Sequence, residues 1–193
     1  MKAGAAIAGG ATLGGGTAGT AMAVSSDVQP ESDSVDMFLR LEGIKGESRD
    51  RAHEGEIDVL AWSWGAANNA SLHVARGGGR GGSTFDDISI TKRVDRATPA
   101  LWLGVASGRH IPSATLTLRT AGGDEQIAFL VIELEPVLVS SVHPGGVVDE
   151  QQLETISLNF ARFRVTYTPQ EPDGTPGPSV GPVGWDIQRS ESV

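Results

Sequence analysis

From Val35 onward the apolar residues recur at every second position, the spacing of half-buried strands whose alternate side chains face opposite sides of a sheet. In 35–42, Val35, Met37, Leu39 and Leu41 alternate with Asp36, Phe38, Arg40 and Glu42, and Gly43 closes the run. In 56–64, Leu60, Trp62 and Trp64 share one face while Ile57, Val59, Ala61 and Ser63 share the other, which predicts a strand at least partly covered on both sides. Ala114, Leu116 and Leu118 alternate with Thr115, Thr117 and Arg119, and a turn at Gly122-Gly123 leads into the apolar run 127–142, so the two form a hairpin. Ile156, Leu158 and Phe160 share a parity that Phe163, Val165 and Tyr167 do not. A bulge near Ala161-Arg162 would turn both sets inward. Trp185 and Ile187 fit a short closing strand after the Pro/Gly-rich stretch 169–182.

One segment breaks this period. In 95–107, Thr98 reads as an N-cap, Pro99 as a first-turn proline and Gly108 as the stop. A single short helix is expected, burying Leu101, Trp102 and Val105. Many short strands with one helix predict a mainly β fold, an antiparallel β-barrel built as two packed sheets, because strands and helices do not alternate as a parallel sheet requires.

The 193 residues suffice for one domain or two small ones. Fifteen Lys and Arg stand against 24 Asp and Glu, a formal charge of -9 that disfavours nucleic acid as a partner. The absence of Cys excludes disulfides, thiolate metal sites and cysteine nucleophiles.

The first 34 residues differ from the rest. Lys2 is the only charge among residues 1–23, whose apolar character is mostly Ala and Gly, too weak for a stable membrane span. A positive start, a mild apolar stretch and the small-x-small triplet Ala21-Met22-Ala23 fit a removed leader, with a disordered tail as the alternative. The opening Met1-Lys2-Ala3-Gly4-Ala5-Ala6 also resembles the part of a twin-arginine leader that follows its arginine pair, although the pair itself is missing. Residues 24–34 are polar and acidic, as in a solvated linker. The expected organisation is therefore a leader-like or disordered segment with linker over 1–34 and a folded domain over 35–193.

No constellation for catalysis or metal binding emerges. His53, His73, His110 and His143 lack metal-ligand spacing and read as surface or turn residues. No Gly-x-Ser-x-Gly elbow occurs, and Ser89 and Ser157 sit in strand-like runs. The stretch 76–83 carries two arginines among glycines but lacks the Gly-Lys-Ser/Thr ending of a phosphate loop, so it reads as a flexible connection. Asp86-Asp87 and Asp149-Glu150 read as solvated turn acids. No cofactor and no catalytic residue is expected.

The chain carries the blocks Val35-Asp36-Met37-Phe38-Leu39, Glu42-Gly43-Ile44-Lys45-Gly46-Glu47-Ser48 and Glu56-Ile57-Asp58-Val59-Leu60-Ala61-Trp62-Ser63-Trp64-Gly65. Thr98-Pro99, Ser107-Gly108, His110-Ile111-Pro112, Ala121-Gly122-Gly123, Leu158-Asn159-Phe160-Ala161 and Gly184-Trp185 follow in order. Together these blocks resemble the Hcp (haemolysin-coregulated protein) family of type VI secretion tube proteins. The resemblance implies a β-barrel with one helix, assembled into a homohexameric ring whose stacked copies form a secreted hollow tube. It implies sheath and spike proteins as partners, and small effector proteins as passengers in the lumen. It also implies that Ser63 lies on the channel side while the flanking tryptophans pack inside. The alternation of 56–64 separately puts Ser63 opposite Trp62 and Trp64. A serine bonded locally to backbone is the alternative role for Ser63. Usual family members begin almost directly at the first strand, so the segment 1–34 raises an alternative function, an exported Hcp-like binding domain, monomeric or oligomeric, working outside a standard type VI apparatus.

Overall fold

The computed structural model describes residues 34–68, 82–121 and 126–193. The segment 1–33, with the proposed cleavage triplet, lies outside them, as do His73, residues 76–81 of the glycine-rich stretch and the Gly122-Gly123 turn.

The strands are β1 (Val35–Leu41), β2 (Ile57–Ser63), β3 (Ala66–Asn68), β4 (Ser83–Phe85) and β5 (Ile88–Arg93), followed by the helix α1 (Thr98–Ser107). Then come β6 (His110–Ile111), β7 (Ala114–Thr120), β8 (Ala128–Gly145), β9 (Leu153–Tyr167), β10 (Val180–Asp186) and β11 (Glu191–Ser192). Nine of these strands make one antiparallel sheet in the order β11-β10-β9-β5-β2-β1-β7-β8-β6. A further pairing of β8 with β9 joins the sheet to itself, so β9, β5, β2, β1, β7 and β8 form a closed six-stranded barrel. β3 and β4 form a separate two-stranded ribbon.

Closure leaves one enclosed interior, and the period of two fills it. Leu39 and Leu41 of β1, Ile57 and Val59 of β2, Ile88 and Ile90 of β5, Leu116 of β7 and Ile156 and Leu158 of β9 are all buried there. β1 pairs with β7 over its whole length, from Val35 with Thr120 to Leu41 with Ala114, and β7 pairs with β8 as the expected hairpin.

Three details depart from the sequence reading. In β2 the register against β5 shifts between Val59 and Ala61. The extra residue, Leu60, reverses the alternation midway. Ile57 and Val59 before it, and Trp62 and Trp64 after it, therefore all serve the core, while Ala61 and Ser63 are left exposed. The single-face assignment of Leu60 with the tryptophans fails because an inserted residue changes parity.

No bulge occurs between β9 and β8 near Ala161-Arg162. Glu135 pairs with Arg162 and Val137 with Phe160 in unbroken register. Both strands change parity at the same point: Leu134 and Val137 are buried on β8, opposite Phe163 and Phe160. A shared change needs no extra residue in either strand. It coincides with the place where β9 exchanges β5 for β10 as its second neighbour.

The helix forms where expected, but its boundary and buried side differ. Ala97 occupies the N-cap in a helical conformation without a side-chain cap, and Thr98 is the first helical residue. The Thr98 hydroxyl is engaged elsewhere, accepting from the Asp95 backbone N–H at 3.1 Å and donating to Glu154 at 2.7 Å. Gly108 ends the helix in the left-handed conformation (φ 62°), its N–H donating to the Gly104 carbonyl, which suits glycine. Leu101 and Gly104 are buried, whereas Trp102 and Val105 are 47% and 37% exposed. Apolar side chains surround this helix, so periodicity alone cannot choose a side. Gly104 decides it: a Cβ there would lie 3.4 Å from Val139 Cγ2, so a small residue lets the helix approach β8 closely.

Candidate functional site

The two shifts in strand register build the surface around Ser63. After the Leu60 bulge, Trp62 stands opposite Ile90 and Ser63 opposite Ser89. Ile88 and Ile90 are fully buried, so Ser89 between them is turned to the other face of the sheet. Ser89 in turn pairs with Ser157 between buried Ile156 and Leu158, and Ser157 pairs with Ser141. A second register shift, between Val139 and Ser141, inserts Ser140 beside this position. Four adjacent strands therefore carry the row Ser63, Ser89, Ser157, Ser141 across the outside of the barrel sheet.

The neighbouring row is Ala61, Thr91, Thr155 and His143. Thr91 and Thr155 share a hydrogen bond at 3.4 Å. The side-chain hydroxyls of Ser63, Ser89, Ser157 and Ser141 have no protein partner among the described residues, and Ser63 is the most open of them. This leaves their donor and acceptor capacity to solvent or a bound partner.

Charge is kept to the margins of the face. Asp87, at one end, has both carboxylate oxygens occupied: Ser140 Oγ donates to Oδ2 and Asn159 Nδ2 donates to Oδ1 at 2.7 Å. Asp87 is thus a bonded anchor rather than a free turn acid. Ser140 Oγ is also 3.1 Å from the Ser157 carbonyl oxygen, which ties the bulge to β9. Arg93 and His143 lie at the other end.

The inner side of the same strand is aromatic. Trp64 meets Phe160 and Phe163 edge to face at 5.5 and 4.9 Å, and its indole N–H donates to the Asp86 carbonyl at 3.0 Å. These contacts hold β2 rigidly behind Ser63, because large aromatic faces and a satisfied indole N–H leave few alternative packings. The sequence placed Ser63 opposite the tryptophans correctly. It left the other three serines unconnected, although the position of Ser89 and Ser157 between aliphatic residues was legible.

The remaining candidates do not converge on chemistry. His53 stacks on Phe38 with ring centroids 4.1 Å apart, its Nδ1 2.9 Å from Glu56. His110 and His143 are exposed on separate strands. No group of three or more potential metal ligands occurs among the described residues. Likewise, none of their helices is long and apolar enough to cross a membrane.

The sequence pattern of the family described as type VI secretion system effector, Hcp, matches residues 38–167. Protein hcp1 of Pseudomonas aeruginosa is 46% identical to this chain over 158 residues, covering 81% of this chain and 98% of that protein. A solved structure of a type six secretion system protein superposes with a TM-score of 0.78 at 28% identity, covering 83% of this chain and 100% of the other. Hcp1 from Salmonella typhimurium superposes with a TM-score of 0.67 at 30% identity, covering 83% and 99%.

Proposed function

The chain belongs to the Hcp family of type VI secretion systems, and from that premise we propose that it is a tube subunit: a homohexameric ring, stacked into a hollow secreted tube, that carries small effector proteins against the face holding Ser63. The observation that carries this reading is the outward row of small hydroxyl side chains on a closed, rigid barrel wall. A channel lining has to stay hydrated and free of bulky or sticky groups, and this face meets both needs. Its role is structural and carrying rather than catalytic, and sheath and spike proteins are its further partners.

Ring closure is the step to test first. Light scattering on a sizing column should give six times the chain mass of 20.0 kDa. Ser63→Gln should leave the ring mass and circular dichroism unchanged and weaken retention of a co-expressed effector, since a symmetric ring repeats the added bulk in every subunit. A monomer mass would instead favour the exported binding domain that the leader-like composition of 1–34 supports.

A further inference from the structure

The face around Ser63 also carries information about the kind of surface it receives. The row Ser63, Ser89, Ser157 and Ser141 crosses four hydrogen-bonded strands, a span of roughly 14 Å at the usual strand spacing. None of the four hydroxyls bonds to another group of the protein among the described residues. Ala61, Thr91 and Thr155 extend this uncharged surface by one row, which ends at His143 on β8. Asp87, the acid two residues before Ser89 on β5, is occupied by Ser140 and Asn159.

Resting on the reading of this face as the one that clients meet, we infer that it recognises a folded protein patch that is electrically neutral and built of hydroxyl and amide side chains. The argument is charge and polarity matching. A lysine- or glutamate-rich patch seated on the serine row would surrender its hydration and find no counter-charge within that row, which costs more than it returns. A leucine-rich patch would strand the four serine hydroxyls without partners. Hydroxyl and amide groups satisfy them, and because each serine hydroxyl can rotate to donate or accept, the match requires neutrality and polarity more than a particular sequence. With no ion pair formed, binding is nearly independent of salt.

The probe is a small designed three-helix bundle in four versions, one face of each carrying Ser and Gln, Lys, Glu, or Leu. Fluorescence anisotropy should show the Ser/Gln version bound more tightly than the other three, with less than about a twofold change in affinity across a tenfold rise in salt. The double substitution Ser89→Ala with Ser157→Ala should weaken that binding about tenfold while ring mass and melting temperature hold. If the double variant loses its fold, Ser157→Ala alone supplies the comparison and should still weaken binding. Tighter binding of the Lys, Glu or Leu version, or unchanged binding by a folded alanine variant, overturns the inference. The ring reading fails separately. A monomer that still discriminates the Ser/Gln bundle removes the ring and keeps the face, whereas a ring that binds all four alike does the reverse.

Discussion

Lys92 and Arg119 are both buried cations on barrel strands, yet the barrel holds them in different ways. The Lys92 ammonium is fully buried and reaches Glu154 at 2.6 Å, Asp95 at 2.8 Å and the Arg93 carbonyl at 2.8 Å. Three donors thereby meet three acceptors. Through Asp95 and Thr98 this cluster fixes the start of α1, since Asp95 accepts from the Ala97 N–H and Thr98 donates to Glu154. Arg119 instead lies at the margin of the barrel. Its planar guanidinium forks onto Asp50 at 3.0 and 2.7 Å, reaches Asp36 at 3.0 Å and covers the Phe38 ring at 5.0 Å. Asp50 in turn accepts from the backbone N–H groups of Ala52 and His53, so Arg119 pins the irregular segment between β1 and β2.

The comparison teaches that the ladder secures the strands while charge clusters secure the connections. It also shows how access to water grades the cost of disruption. Glu154 is buried and its Oε2 has no partner among the described residues, so this carboxyl depends on Lys92 and Thr98 through its other oxygen. Asp50 and Asp36 are partly open to solvent, which can replace part of what Arg119 supplies.

The largest effect should follow from breaking the inner cluster. Lys92→Ala leaves two carboxyls facing an apolar interior and should cost about 3–5 kcal/mol in urea unfolding. Replacing the fully buried pair, Lys92→Met with Glu154→Leu, should recover part of that loss, because the Glu154 charge goes with its partner while Asp95, closer to solvent, still accepts from the Ala97 N–H. If the double variant is no more stable than Lys92→Ala, the loss came from packing rather than from stranded charge.

The marginal cluster should respond less. Arg119→Ala should cost about 2 kcal/mol, the scale of hydrogen bonds to a charged group, and amide exchange should accelerate mainly in 44–56. Acceleration spread evenly through the barrel would deny Arg119 its local role.

The smallest effect is a pH dependence assigned to Asp50. The Arg119 hydrogen bond, against a smaller opposing cost of burial, lowers the Asp50 pKa from 3.8 to about 2. A depressed carboxyl pKa stabilises the fold fully above the unfolded value, and that contribution disappears as pH falls from 3.8 through about 2. Asp50→Asn should flatten this part of the acid stability curve, with a loss of about 1 kcal/mol at neutral pH. An identical acid slope in the variant would assign the dependence to other carboxyls.

What could be read in advance follows from how far apart the deciding atoms lie along the chain. Alternation in β1 and β7, the helix stop at Gly108 and the family blocks around Trp62-Ser63-Trp64 are local patterns, legible because the period of a strand and the freedom of a glycine act within a few residues. The Leu60 and Ser140 bulges were not legible, since a bulge exists only relative to the register of a partner strand, which no local pattern states. The same limit hid the side of α1 that faces Val139, the ion pairs of Lys92 and Arg119, and the joining of four separate serines into one row. Local patterns along the chain specify a β-rich protein of a recognisable family with Ser63 opposed to two tryptophans. Tertiary structure alone decided register and closure, because hydrogen bonds between distant strands choose which residues stand side by side.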